Sequence, residues 1–242
     1  MSWTKGFVAA SALMMAGIII SPTPAEAGVV VSSSGPSASQ YPVGRQVGST
    51  DRITLRDGDT VTVLENGGTR VFRGAGSHTL GQASTASRSR AFASLTTQRS
   101  AARARTGAVR TGAVAEVSNP SLWYVDVAAA GTVCLTSPDN VRLWRADTQA
   151  ESTYAITPEG APRSGSSVTF PAGEMLARWD MSRPPVAGTI YRIGHGGSTG
   201  PVEVSFVFLA ETPDEPEALA SALIANGCLV QLEQMSSAML GG

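Results

Sequence analysis

Short alternating runs separated by glycine-containing turns occupy the stretch from Ile53 to Gly76. Apolar side chains recur at every second position in these runs, as they do in a strand that buries one face of a sheet. Asn66-Gly67 between two such runs is typical of a hairpin with a type I′ turn. We therefore expect a small meander of four short strands, at Ile53 to Leu55, Thr60 to Leu64, Thr69 to Arg73 and Ser77 to Leu80.

The same stretch resembles the small β-module of FecR-like periplasmic proteins. The resemblance is carried by a turn-rich pattern of Asp57-Gly58-Asp59, Val61-x-Val63-Leu64, Gly68-Thr69-Arg70 and Gly74-x-Gly76. It covers about Gly28 to Gly81 and implies a periplasmic β-module. More loosely, the chain resembles uncharacterised secreted proteins of Gram-negative bacteria in which such a module is joined to a second β-rich region.

The first 27 residues have the three parts of a secretory signal peptide. Lys5 supplies a positive charge, Phe7 to Ile20 is an apolar run, and Ala25-Glu26-Ala27 is a small-residue cleavage site. The apolar run is shorter than the roughly 20 residues that span a membrane. We expect cleavage between Ala27 and Gly28, a periplasmic or secreted protein, and no stable membrane span afterwards. An uncleaved amino-terminal anchor is the alternative.

A second β-patterned region extends from Val114 to Phe208. It contains eight short candidate strands separated by turn residues, which is typical of a β-sandwich or distorted barrel. The strands are expected at Leu122 to Val127, Thr132 to Leu135, Val141 to Arg145, Thr153 to Ile156, Ser167 to Phe170, Met175 to Trp179, Thr189 to Ile193 and Val202 to Leu209. The aromatic residues expected in its core are Trp123, Tyr124, Trp144, Trp179 and Tyr191.

The last segment changes to a helical pattern. Thr212-Pro213-Asp214-Glu215 has the composition of a helix start, and Asn226-Gly227 is typical of a left-handed helix stop. A first helix is expected to end near Ala225, and a second to run from Cys228 to Met239 with Leu229, Leu232 and Met239 near one face. The chain is thus expected to be mainly β, with a small meander module and a larger sandwich or barrel-like domain closed by a C-terminal helical pair.

The sequence contains two cysteines, Cys134 and Cys228. Both lie in the exported part of the chain, where an oxidising compartment permits a disulfide. A bridge between them would close a long loop and stabilise the fold by about 4 kcal/mol on the chain-entropy model. Two buried free thiols are the alternative.

An arginine-rich segment separates the two β-patterned regions. Gln82 to Ala113 contains six arginines and no acidic residue, and its only large apolar side chains are Phe92 and Leu95. We interpret residues 82–113 as a linker between a first domain at 28–81 and a second at 114–242. The region from Val114 onward has fourteen acidic residues against six arginines, a net charge of −8. Export argues against nucleic acid as the partner of the linker arginines.

Few residues are suited to catalysis. The chain has two histidines and, after Ala27, no lysine. His78 fits a structural role, whereas His195 lies in a glycine-rich loop, Gly194-His195-Gly196-Gly197-Ser198, where a ligand has access to the imidazole. We regard this segment as the candidate binding loop, with a plain hairpin loop as the alternative. Asp57 and Asp59 fit a turn better than a calcium loop, and we expect no metal or cofactor.

The sequence therefore favours a non-catalytic exported envelope protein that acts as a binding or structural module for a protein or cell-wall component. One alternative is a periplasmic hydrolase that uses His195 with a carboxylate such as Asp180 or Glu203. That alternative requires one of the two acids within hydrogen-bond reach of the imidazole. The other alternative is a sensor component of a transenvelope signalling relay.

Overall fold

The computed structural model of the chain describes residues 26–65, 68–80, 90–97, 118–196 and 200–240. The first part contains β1 (Glu26–Ser34), β2 (Gln46–Gly48), β3 (Arg52–Leu55), β4 (Thr60–Glu65), β5 (Gly68–Arg73), β6 (Gly76–Thr79) and the short helix α1 (Arg90–Thr96). The second part contains β7 (Tyr124–Asp126), β8 (Gly131–Leu135), β9 (Arg142–Trp144), β10 (Ser152–Pro158), β11 (Ser166–Phe170), β12 (Leu176–Arg178), β13 (Ile190–Gly194) and β14 (Val202–Phe208). The helices α2 (Pro216–Ala225) and α3 (Leu229–Leu240) follow.

The first β-module contains all four strands predicted between Ile53 and Leu80, each within one residue of its predicted limits. β4 and β5 form an antiparallel hairpin, while β3 and β6, which flank that hairpin in the chain, pair with each other. β1 joins the hairpin and produces a four-stranded sheet in the order β2-β1-β4-β5. The predicted turn residues Asn66 and Gly67 lie outside the described part of the chain.

The four-stranded sheet is covered on both faces. On one face, Val30 and Val63 pack in a core with Ile53 of β3. On the other face, Val29 and Leu64 pack in a second core with residues of all three helices. A sheet covered on both sides gives near-continuous buried runs rather than alternation, and β4 is buried from Val61 to Glu65.

The sandwich contains all eight strands predicted between Leu122 and Leu209. A five-stranded sheet, β11-β10-β13-β14-β8, packs against a three-stranded sheet, β12-β9-β7, through one apolar core. The strand pairs are antiparallel except β14–β8 and β7–β9, which are parallel. The protein is therefore mainly β, with a β-sandwich and a C-terminal helical pair as predicted, and the described sheets do not close into a barrel.

The five aromatic residues predicted in the core are all buried. Trp179 packs edge-on against Tyr191 and Phe206, with ring centroids 5.3 and 5.5 Å away. Trp123 instead belongs to the core shared with the helices.

The C-terminal helices differ from the prediction at two points. α2 begins at Pro216 rather than within Thr212 to Glu215, because Pro216 occupies the first helical turn, where its missing N–H costs nothing. Gly227 has a φ of 71°, as expected for the left-handed stop. In α3, Leu232 and Met239 are buried as predicted, whereas Leu229 is 56% exposed.

The three helices and the residues packed on them form what we call the helical joint, a core made of α1, α2, α3 and apolar residues of β1, β4 and β8. The predicted disulfide Cys134–Cys228 is present there, with a Cα–Cα distance of 5.8 Å, and connects β8 to the start of α3. No helix in the described ranges combines the length and hydropathy needed to cross a bilayer.

The segment predicted as a linker contributes α1 to this joint. Phe92 and Leu95 are buried, and the end of the helix is held by the start of the second region. The Leu95 carbonyl accepts hydrogen bonds from Leu122 N and Ser121 Oγ, each at 3.1 Å. Trp123 Nε1 donates to the Thr96 carbonyl at 2.7 Å. The other predicted linker residues lie outside the described ranges, and the predicted domain boundaries stay predictions.

Candidate functional site

The predicted binding loop follows β13 and is described only in part, because Gly197, Ser198 and Thr199 fall outside the described residues. His195 is half-buried, and its ring packs on Tyr154 with centroids 4.7 Å apart. This contact places the imidazole at the edge of the sandwich core. The role of the loop in binding stays a prediction.

The two acids proposed as partners of His195 have other contacts. Glu203 Oε1 forms an exposed ion pair with Arg192 at 3.1 Å. Asp180 Oδ1 accepts hydrogen bonds from Ser182 N at 3.0 Å and Ser182 Oγ at 2.7 Å. These bonds hold the pKa of Asp180 below its ordinary value, with a smaller contribution from the charge of Arg183. The hydrogen bonds to Asp180 therefore favour its ionised carboxylate.

Residues Gly196 to Gly200 also match the residue spacing of a G-x-S-x-G nucleophile sequence. That sequence acts at a sharp turn from a strand into a helix. Here the segment joins two antiparallel strands, β13 and β14. The next element in the chain is therefore a strand, β14, and not the helix that such a nucleophile sequence precedes.

The other residues considered in the first module have structural contacts. His78 packs on Phe72, with ring centroids 5.2 Å apart. Asp59 is 2% exposed and accepts hydrogen bonds from Ser37 N at 2.8 Å and Arg56 N at 2.6 Å, so its carboxylate holds two loops together. The residues that the structure describes contain no group of three or more His, Cys, Asp or Glu side chains arranged to hold a metal ion.

A cleft of about 480 Å³ lies at the opposite end of β13 from His195. We call it the arginine cleft, because two arginines and no acidic residue line it. It is formed by β10, the turn before β11, and the loop between β12 and β13. Its lining residues are Ile156, Pro158, Arg163, Ser164, Ser166, Trp179, Arg183, Pro184, Val186, Thr189 and Tyr191.

Arg183 connects the two walls of the arginine cleft. Its Nη1 donates to the Gly165 carbonyl at 2.6 Å and to the Ser164 carbonyl at 3.3 Å. Its own carbonyl accepts a hydrogen bond from Trp179 Nε1 at 2.8 Å. These contacts use one of the terminal nitrogens of Arg183 and fix the direction of the side chain, which is the preorganisation that a binding residue requires.

Arg163 is the more available of the two charges. It is exposed in the middle of the turn Pro162–Ser164. Among the described residues it has no hydrogen-bond or ion-pair partner. The hydroxyls of Ser164 and Ser166 line the same side of the cleft. Planar guanidinium groups beside hydroxyls are well suited to a carboxylate, which accepts two parallel hydrogen bonds from a single arginine.

Apolar residues complete the arginine cleft. Trp179 and Tyr191 form its floor, and their polar atoms are satisfied within the protein, since Tyr191 Oη accepts a hydrogen bond from Val186 N at 2.9 Å. Val186 is 59% exposed at the rim, and Ile190 beside it is 38% exposed. Such a combination of an apolar floor and a few polar groups is typical of ligand sites.

Comparison with known proteins returned no match: no family model fits the chain, and no curated protein or solved structure is significantly similar to it. The resemblance to FecR-like modules stays a prediction on these grounds.

Sequence reasoning missed the arginine cleft because the residues that form it are far apart in the chain. Arg163 and Arg183 are brought together only when β10, β11 and β13 pair and the loop after Trp179 folds over them. One weak signal was present, since each arginine is next to a proline in a region with few positive charges.

Proposed function

We propose that the protein is a non-catalytic exported module of the cell envelope that binds a carboxylate-bearing protein or cell-wall component in the arginine cleft. One observation carries the proposal. In a region with a net charge of −8, a cleft lined by Arg163 and Arg183 contains no acidic side chain. Such local segregation attracts a negatively charged partner and disfavours a positive one.

Export is supported by the signal-peptide pattern that ends at Ala27. It is also supported by the disulfide Cys134–Cys228, which is a bond typical of oxidising compartments. Both observations are consistent with a partner in the periplasm or outside the cell.

The test is a calorimetric titration of the exported protein with a short peptide in which glutamates alternate with leucine and phenylalanine. The matched probe is the same peptide with glutamine in place of glutamate. We expect binding of the acidic peptide only, and a loss of affinity of about tenfold in Arg163→Gln, the size of one charge-assisted contact. Arg178→Gln is the control, because Arg178 is exposed on β12 and outside the cleft.

A second arm distinguishes the two sources of the carboxylate. Co-sedimentation with purified peptidoglycan sacculi tests a cell-wall partner, and a protein partner predicts binding of the acidic peptide without co-sedimentation. Equal affinity for the acidic peptide and its glutamine analogue would overturn the proposal. So would an Arg163→Gln variant that binds as well as the unaltered protein.

A further inference from the structure

A second cavity lies where the edges of the two sandwich sheets meet α3. β8 is the last strand of the five-stranded sheet, and β7 is the last strand of the three-stranded sheet. The cavity has a volume of about 270 Å³ and is lined by Asp126 of β7, by Thr132 and Val133 of β8, and by one face of α3. We call it the α3 groove. It shares no lining residue with the arginine cleft.

α3 contributes the side of the helix that is not packed into the helical joint. The lining residues from α3 recur at intervals of three and four, as residues on one side of a helix do. They are Val230, Gln231, Glu233, Gln234 and Ser237. Leu232, Met235 and Met239 lie on the other side, in the helical joint. Val230 is 42% exposed at the groove, so an apolar side chain is available to a ligand there.

The side-chain amides around the groove are held by the protein itself. Gln231 Nε2 donates to two backbone carbonyls, each at 2.7 Å. Gln234 Nε2 donates to the Asn119 carbonyl at 2.7 Å, and Asn119 Nδ2 donates to the Tyr124 carbonyl at 2.9 Å. The wall of the groove is therefore preorganised for a ligand.

Two carboxylates supply the charge of the groove. Asp126 and Glu233 line it, and no basic side chain does so among the described residues. Asp126 Oδ1 accepts a hydrogen bond from Ala128 N at 2.8 Å. Within the described ranges, neither Asp126 Oδ2 nor the Glu233 carboxylate has a hydrogen-bond or ion-pair partner. The groove therefore contains negative charge that no positive side chain balances.

Strand alternation directs Asp126 toward the groove. Val125 before it is fully buried in the sandwich core, so Asp126 points to the opposite face of β7. Burial raises the pKa of its carboxyl, and the hydrogen bond from Ala128 N opposes this only in part. A cation in the groove would favour the charged carboxylate and lower this pKa.

The free edge of β8 has backbone groups that a polypeptide can use. Cys134 directs its N–H and its carbonyl to this edge, where both bond to Gln231. Successive residues of a parallel strand direct these groups to opposite edges, so those of Thr132, two positions earlier, face the same edge as those of Cys134. Thr132 lines the groove, and the hydrogen bonds of Gln231 do not extend to it. An open strand edge of this kind accepts the extended backbone of another chain.

We propose that the α3 groove binds the side chain of a lysine or arginine from a protein partner whose extended backbone lies along the free edge of β8. The inference goes beyond the proposed function, because the groove is separate from the arginine cleft and takes the opposite charge. Asp126 and Glu233 hold the charged head, and Val133 and Val230 contact the aliphatic stem. The volume is slightly below the roughly 300 Å³ at which sites for small-molecule ligands begin, which suits a single side chain.

The test is a nuclear magnetic resonance titration of the isotope-labelled exported protein with a capped peptide of four alanines around a central arginine. The matched probe has citrulline in place of arginine, which keeps the shape of the side chain and removes its charge. We expect the backbone amide signals of Thr132 and Gln231 to shift with the arginine peptide. The affinity for the citrulline peptide is expected to be about tenfold lower, as for the loss of one charge-assisted contact. Asp126→Asn is expected to cause a similar loss of affinity for the arginine peptide.

Glu203→Gln is the control, because it removes the same charge from an exposed position on β14 outside the groove. A loss of affinity in this control as large as in Asp126→Asn would show only the attraction of a negatively charged region and would overturn the site. Equal affinity for the two peptides, or signals that shift elsewhere but not at Thr132, would also overturn it. If Asp126→Asn does not fold, Glu233→Gln, at an exposed position, supplies the same test. Arg163→Gln should bind the arginine peptide normally, so a failure of one site is distinguishable from a failure of the other.

Discussion

The first β-module and the sandwich are both built from short strands, but they bury those strands differently. In the sandwich, β10 and β13 bury alternate residues and expose the rest, so the domain has one core between two sheets. In the first module, β4 is buried along almost its whole length, because the β3–β6 pair covers one face and the helices cover the other. The helical joint therefore packs against β1 and β4 of the first module as well as against β8.

This difference shows which of the two β regions relies on packing against the helices. The sandwich has its own core of Trp179, Phe206 and their neighbours. The first module shares one of its two cores with α1, α2 and α3, which are attached to the second domain by the disulfide and by Gln231. We expect perturbations of the joint to affect the first module more than the sandwich.

The largest effect is expected from removal of the disulfide. The double variant Cys134→Ser, Cys228→Ser is expected to lose about 4 kcal/mol in the free energy of unfolding, because the bridge closes a loop of 94 residues. Urea denaturation measures this loss, and limited proteolysis should then cleave near α2 and α3 before the sandwich. Reduction of the unaltered protein is the control and should reproduce the change. Unaltered stability in both experiments would contradict the role assigned to the joint.

A slightly smaller effect is expected from equal deletions in the two cores. Leu64 and Leu143 are both fully buried, Leu64 in the joint and Leu143 in the sandwich. Each change to alanine is expected to lower the free energy of unfolding by about 3 kcal/mol. The two changes are expected to loosen different parts of the structure. Hydrogen exchange should accelerate in β1, α2 and α3 for Leu64→Ala, and in β10 and β13 for Leu143→Ala. The same pattern of exchange in both variants would show a single cooperative core instead of two.

The third prediction concerns Gln231, which covers the free edge of β8. Its Oε1 accepts a hydrogen bond from Cys134 N, and its Nε2 donates to the carbonyls of Cys134 and Leu122, all at 2.7 Å. Gln231→Leu would leave these buried groups without partners, at a cost of about 2 kcal/mol. Gln234→Leu is the matched control, because Gln234 donates one bond, to the Asn119 carbonyl. We expect it to cost about 1 kcal/mol, and an equal loss in both variants would contradict the role of Gln231 as an edge cover.

The sequence was sufficient to predict β3 to β14 and the disulfide, because both depend on local patterns or on the expected compartment, whereas β1 and β2 were not predicted. Alternation located β10, β11, β13 and β14, and glycine turns located the strands around Asp57 to Asp59. The helical joint was less predictable. Two apolar residues, Phe92 and Leu95, dock α1, since hydrogen bonds from the Ser121 hydroxyl and the Leu122 backbone N–H complete its end.

Sequence reasoning did not find the arginine cleft. It favoured the loop at His195, which a glycine-rich composition makes conspicuous, whereas the arginine cleft is at the other end of the same strand. Arg163 and Arg183 carry no local pattern, and their proximity depends on which strands pair. The net charge of a whole region also gives no indication of a positively charged cleft within a negatively charged region.

The smallest expected effect is a difference between the first module and the sandwich in how a buried aspartate makes stability depend on pH. In the first module, burial raises the pKa of Asp59, but hydrogen bonds from Arg56 and Ser37 outweigh it and leave the pKa below 3.8. In the sandwich, burial raises the pKa of Asp126 above 3.8, and the hydrogen bond from Ala128 N opposes this only in part. The stability due to Asp59 is therefore present above pH 3.8 and is lost as the pH falls through the folded-state pKa of Asp59. The stability due to Asp126 is present below pH 3.8 and is lost as the pH rises through the folded-state pKa of Asp126.

Urea unfolding between pH about 3 and about 7 measures both effects. The loss in free energy of unfolding caused by Asp59→Asn should grow with pH, while Asp126→Asn should become more stable relative to the unaltered protein. Pairs of slopes with the same sign would show that hydrogen bonding at Asp59 does not overcome its burial, and that the two carboxylates are in equivalent environments.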